Sequence, residues 1–102
     1  MPLTIIIEEE GTKPAFICDE CGKEITDAFD ANYEWNEPDD ETRITDIKFL
    51  HKDCSRAYEI KHGRSDCNMG IHNLMVYLLN NTHLHKEELE AAYANSASLN
   101  QM

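Results

Sequence analysis

Cys18-Asp19-Glu20-Cys21-Gly22-Lys23 and, further along, Phe49-Leu50-His51-Lys52-Asp53-Cys54 are the two stretches on which the reading of this chain turns. The first is a Cys-x-x-Cys followed by glycine. In a zinc knuckle the two thiolates point inward from a tight turn, and glycine permits a backbone geometry that a β-carbon would obstruct. Backbone N–H groups after each cysteine can donate to sulfur and spread the thiolate charge. The second stretch supplies His51 and Cys54 at i, i+3 spacing at a helix start, which puts both on one side of the first turn. Residues 22–50 separate the pairs, enough chain for a hairpin. Cys18, Cys21, His51 and Cys54 thus predict a Cys3His set, and a four-ligand zinc site with no open position is structural rather than hydrolytic. One structural Zn2+ is the expected cofactor.

Two other chemistries compete for a Cys-x-x-Cys. A redox dithiol of the thioredoxin kind sits at a helix N-terminus within a βαβ pattern. Here Gly22-Lys23-Glu24-Ile25 runs on into strands, and a matching His-x-x-Cys lies downstream. An iron–sulfur cluster is disfavoured because three cysteines and one histidine at knuckle spacing suit zinc better.

Working outward, Leu3–Glu8 is β-branched and short, as a strand should be. Gly11 and Pro14 punctuate a turn, and Ala15-Phe16-Ile17 returns as its partner, giving an N-terminal hairpin over 1–17. From Ile25 to Trp35 the chain alternates loosely, with aromatics at Phe29, Tyr33 and Trp35. A polar turn over residues 36–41 leads to a second strand, Thr42 to Leu50, and a hairpin is the simplest joining of the two runs. Between Lys52 and His62 the period becomes helical, through Cys54, Ala57, Tyr58 and Lys61, and Gly63 is a natural stop. A helix over 68–80 follows from Ile71, Leu74, Met75, Leu78 and Leu79. The last, over 86–95, has His85 as N-cap, Glu88 at N3, and Leu84 facing Leu89 as a hydrophobic staple. The tail Ser96–Met102 carries no apolar stripe and is expected to fray. The fold class is therefore α+β, one domain over 1–102, with a zinc-binding unit over 18–63 and a helical hairpin over 64–95.

A knuckle at Cys18–Cys21, a hairpin, and then His51 and Cys54 opening a helix resembles a treble-clef zinc finger. The Cys18-x-x-Cys21-Gly22-Lys23 and Phe49-to-Cys54 strings are also similar to the first zinc module of LIM domains. A second four-ligand module should follow at once in a LIM domain, but only Cys67 remains and the hairpin insert is longer, so the single treble clef is the better match. The resemblance covers about residues 15–63. It implies a structural support for protein contact, for nucleic-acid binding or, where extra catalytic histidines are present, for nuclease activity.

The remaining composition narrows these roles. At 102 residues and 41% hydrophobic, the chain buries only a modest core and benefits from a staple. Structural zinc supplies roughly 10–16 kcal/mol of apparent binding energy in small finger peptides. Asp+Glu 20 against Lys+Arg 9 leaves a formal charge of −11, with the bases scattered, so nucleic acid is not the favoured partner. No apolar run approaches a membrane span, and the opening residues lack a basic leader, so a cytoplasmic location is expected. No Gly-rich phosphate loop, nucleophile elbow or open metal site appears, so no enzyme is expected.

Other conspicuous residues read more plainly. Cys67 is a small half-buried hydrophobe, with a second site through His62 or His72 as the alternative; His83 and His85 cap or are solvated. Asp39-Asp40-Glu41 lacks the spacing of a calcium loop. Tyr33 and Trp35 are expected on the hairpin's packing face rather than on a recognition surface. The leading expectation is a non-enzymatic, zinc-stabilised protein-interaction module, with self-association through helices 68–95 open to it. The alternatives are a small transcription-linked or nucleic-acid-associated regulator, whose last helix is poorly suited by Glu87, Glu88 and Glu90, and a thiol redox or metal-buffering protein.

Overall fold

Leu3–Glu8 (β1) and Gly11–Ile17 (β2) form an antiparallel hairpin in a computed structural model that describes residues 3–37 and 42–100, the last five by their backbone alone. The register sets Leu3 opposite Phe16 and Glu8 opposite Gly11, so the turn is Glu9-Glu10. Pro14, expected to punctuate the turn, lies inside β2 opposite Ile5. It is tolerated there because β3 (Glu24–Ile25), the neighbour on the other side, pairs only with Phe16 and Ile17. At Pro14 the strand is an edge, where no ladder donor is missed.

The second sheet is built on β4 (Ala31–Trp35), which follows a short 3-10 turn, Ala28–Asp30, capped by the Asp27 side chain. β5 (Lys48–His51) pairs antiparallel with β4, Tyr33 opposite Phe49. This is the expected hairpin, but its second strand is shorter than Thr42–Leu50: residues 43–47 have no regular structure. The acidic stretch Asp39-Asp40-Glu41 lies outside the described residues.

α1 (Lys52–His62) starts directly from β5 and ends where expected, at Gly63 with φ 86°. The next element corrects the sequence reading. Residues 68–70 were expected to open a helix, yet Cys67–Gly70 is a strand, β6, on the free side of β4, giving the order β5-β4-β6. Trp35 faces Cys67 and Tyr33 faces Met69. Gly70 weakens any helix passing through it, and the open edge of β4 supplies backbone partners that a helix would leave unmet. α2 (Ile71–Asn81) begins immediately after Gly70, and every residue of the expected apolar stripe lies within it.

α2 closes with a Schellman arrangement: Leu84 N–H donates to the Leu79 carbonyl at 3.0 Å, and His83 takes the left-handed φ of 57° usually left to glycine. α3 (Lys86–Asn100) runs beyond residue 95, so the backbone expected to fray from Ser96 is helical to Asn100. Its start carries half of the capping box, with Glu88 Oε2 accepting from His85 N–H at 3.4 Å.

The buried core is small: Cys18, Ile25, Ala31, Tyr33, Phe49, Leu50 and Ile71. Phe16 stacks on Phe49 at 4.8 Å, tying the first sheet to the second, and Tyr33 stacks on Trp35 at 5.1 Å. Both hairpin aromatics are thus packed rather than displayed. Glu34 is buried on β4 and accepts a hydrogen bond from Ser55 Oγ at 2.8 Å, which fixes α1 on the sheet. The radius of gyration is 15.6 Å, against about 13 Å for an ordinary domain of this length. No helix among the described residues is long and apolar enough to cross a membrane.

Candidate metal centre

The knuckle is held by backbone before any metal is considered. Cys18 N–H donates to the Lys23 carbonyl, and Gly22 N–H donates back to the Cys18 carbonyl, both at 2.9 Å. Gly22 has φ 73°, the geometry for which the sequence places glycine there, and a β-carbon would meet no atom within 4 Å. Glycine is required by the backbone angle alone. The knuckle is also bonded to β5. Asp19 N–H donates to the Phe49 carbonyl at 2.8 Å, and Asp19 Oδ2 accepts from Phe49 N–H at 2.7 Å. Glu20 adds an ion pair to Lys61 of α1 at 2.7 Å.

This framework brings four ligand atoms together. Cys18, Cys21, His51 and Cys54 each present one, and all lie within 4.8 Å of one another. His51 Nδ1 is 3.4 Å from Cys21 Sγ and 3.9 Å from Cys54 Sγ. Tetrahedral bonds of about 2.3 Å to sulfur and about 2.0–2.1 Å to nitrogen put such pairs about 3.6 Å apart. The four side chains are therefore positioned to bind one metal ion.

The ring of His51 is oriented for this. Its Nε2 lies 3.3 Å from the Glu24 carbonyl, which can only accept, so Nε2 carries the hydrogen and Nδ1 offers its lone pair to the cluster. That backbone carbonyl is a positioning group the sequence reading missed, as was the Asp19 side chain. The signal for Asp19 was in the sequence, a carboxylate between two knuckle cysteines; nothing local pointed to the carbonyl of Glu24.

Exposure and charge differ sharply within the cluster. Cys18 is buried, His51 and Cys54 are half-buried, and Cys21 is exposed. Burial pushes the Cys18 thiol up, but the backbone amides of Cys21, His51 and Glu20 and the Cys21 thiol outweigh it, bringing it down to about 7. One of these bonds is His51 N–H to Cys18 Sγ at 3.5 Å. Cys54 is pushed up to about 12, by burial first and then by hydrogen bonding to Cys21 and Cys18. Neighbouring thiols cannot all ionise without a cation, and a divalent ion at their centre reverses that balance. A cleft of about 490 Å³, lined by Cys21, Lys23, Asp30, His51, Lys52, Asp53 and Cys54, opens the cluster on one side.

The other sequence candidates do not join it. Cys67 donates to Glu37 Oε1 at 3.4 Å, His62 packs at a tilt against Tyr58, and His72 stacks against Phe29. Among the described residues, no second group of three or more potential ligands is found. Compared with protein families, with curated proteins and with solved structures, the chain matches none.

Proposed function

We propose that this protein is a non-enzymatic interaction module of the treble-clef kind, stapled by one structural zinc ion bound through Cys18, Cys21, His51 and Cys54. The observation that carries the reading is the convergence of three sulfurs and one imidazole nitrogen from a knuckle, a strand end and a helix start. Three thiolates and an imidazole suit zinc, and four protein ligands leave no coordination position for substrate. Cys54 lies in the first turn of α1, where the helix dipole favours its thiolate once the ion is bound. The metal then joins the two sheets to α1, and the faces beyond it are presented to a protein partner.

Metal analysis of the purified chain tests this reading, with about one zinc per chain expected. Calorimetry in buffers of different ionisation enthalpy should show binding expel at least one proton, because Cys54 is held protonated until the ion arrives. The sign follows: affinity rises with pH between about pH 6 and about pH 8, since protons compete for the ligands. Binding without proton release, or affinity that falls over that range, contradicts the assigned ligand set.

A further inference from the structure

β1 is an unguarded edge. It ends the first sheet, β1-β2-β3, with no strand on its outer side among the described residues. The turn Glu9-Glu10 closes on the pair Glu8–Gly11, and bonded pairs then alternate with non-bonded ones. Thr4 and Ile6 therefore direct their backbone groups to β2, while Leu3, Ile5 and Ile7 turn theirs outward. The far side of β2 gives the same parity. Cys18 N–H bonds to the Lys23 carbonyl, away from β1, and so by alternation do the backbone groups of Phe16 and Pro14, which stand opposite Leu3 and Ile5. The side chains of the three outward residues are also in solvent: Leu3 is 56% exposed, Ile5 60% and Ile7 82%. Edge strands are ordinarily guarded by lysine, proline, a bulge or a covering loop. From Leu3 to Ile7 there is no charge and no proline, and the register runs without a bulge.

Resting on the reading of the chain as an interaction module, we infer that β1 is a strand-addition site for a basic protein segment. The segment lies extended and antiparallel along β1, with branched apolar residues at alternate positions and Lys or Arg beside Glu9 and Glu10. Backbone chemistry selects the conformation. A row of outward N–H and C=O groups is satisfied in full by another extended chain, whereas a helix or a flat apolar surface leaves it unpaired. Charge selects the sequence. Glu8, Glu9 and Glu10 are all exposed, and Lys13 beside them is engaged by Glu8 at 3.5 Å and Glu24 at 3.0 Å. Glu9 and Glu10 form no ion pair among the described residues. A second copy is the wrong occupant, because it brings another −11 and its β1 carries no base to lay against them. Every strand pairing among the described residues is antiparallel. Addition in that sense puts the partner's N-terminal end beside the Glu9-Glu10 turn, so its bases precede its apolar residues.

Fluorescence anisotropy on the metal-loaded full chain tests the inference with labelled peptides of alternating valine and threonine. One carries a pair of lysines at its N-terminal end, one carries them at its C-terminal end, and one has glutamates in place of the N-terminal lysines. The first should bind tightest, at least about tenfold above the glutamate peptide, and should weaken between about 0.05 M and about 0.5 M salt. Ile5→Pro removes an outward N–H and leaves the bonded pairs with β2 in place; Ile7→Lys puts a guarding charge on the most exposed residue of the edge. Both should keep the circular dichroism and the metal content and lower the affinity by at least about tenfold. Should Ile5→Pro fail to fold, Ile7→Lys carries the test. Val76→Lys, the same charge change at an exposed position of α2, should leave the affinity unchanged. A wild-type chain that binds none of the peptides overturns the inference. So does equal affinity for the lysine and glutamate peptides, or an equal loss in Val76→Lys and Ile7→Lys. A wild-type chain that sediments at twice 11.7 kDa and is returned to one-chain mass by Ile7→Lys overturns it too, since a second copy then covers the edge. Metal content measured on the same samples separates this failure from that of the zinc reading: a zinc-loaded chain that binds no peptide sinks only the strand addition, and a metal-free chain that binds sinks only the zinc.

Discussion

Leu50 on β5 and Leu78 on α2 are the same residue type in opposite situations: the first is fully buried, the second 46% exposed. Leu50 sits one residue before a candidate ligand, in the half where knuckle, hairpin and α1 converge. Leu78 lies on the same stripe of α2 as Ile71 and Leu74, nearer the helix C-terminus, and is left in solvent. The contrast teaches that the two halves are stabilised by different means. Around the cluster, a few buried side chains and a dense set of backbone bonds set up a site that a metal can close. In the C-terminal third the apolar surface is larger than the chain's own core can cover, and short helices left in water are marginal.

The largest effect expected from this contrast is on the metal side. Chelation, or Cys54→Ser, should abolish the cooperative unfolding transition and the near-ultraviolet signal of Tyr33 and Trp35, on the scale of structural zinc sites at roughly 10–16 kcal/mol. A folded, metal-free Cys54→Ser protein would break the comparison outright. Next, Leu50→Ala should cost about 2–5 kcal/mol in urea unfolding of the metal-loaded chain. Val76→Ala, at an exposed position of α2, should change stability by no more than about 0.5 kcal/mol. Equal costs would mean that the exposed side of α2 is packed within the chain after all.

Two backbone variants sharpen the comparison at smaller scale. Gly63, at φ 86° and ψ 167°, occupies a region essentially reserved for glycine, and nothing crowds the position of a β-carbon. Gly63→Ala should therefore cost about 1–3 kcal/mol through backbone strain alone. His83 holds a left-handed φ without being glycine, so His83→Gly should add about 0.5 kcal/mol, visible as a slightly higher melting temperature. A loss there would show that the imidazole makes a contact worth more than the strain it brings.

What could be read from residues alone follows the range of the interactions involved. α1 and its stop at Gly63 were legible because helical period and a left-handed terminus are local properties. So were Gly22 in the knuckle and the Glu88 reach-back at the start of α3. The length of β5 was overestimated because alternation through Thr42–Ile47 looks like a strand whether or not a neighbour exists to pair with it. β6 was missed for the complementary reason: Cys67–Gly70 has little strand character, and becomes one because β4 has an open edge. Pro14 fell inside a strand because β3 is too short to reach it. Each miss is a hydrogen-bonding partner distant in sequence.

For the candidate site the division is similar. The four candidate ligands, and the helix start that presents Cys54, could be named from spacing, since i, i+3 geometry is set by the helix itself; that His51 would close β5 could not. Spacing could not say that the Glu24 carbonyl would turn the His51 ring, that Asp19 would tie the knuckle to β5, or that Cys21 would be the sulfur left facing solvent. Those depend on how a knuckle, a sheet and a helix meet, a matter of three-dimensional packing. The apolar stripe of α2 belongs to the sequence in the same way; how far along it the cover reaches, over Ile71 and Leu74 but not Met75 or Leu78, was decided only by where the helix meets the second sheet.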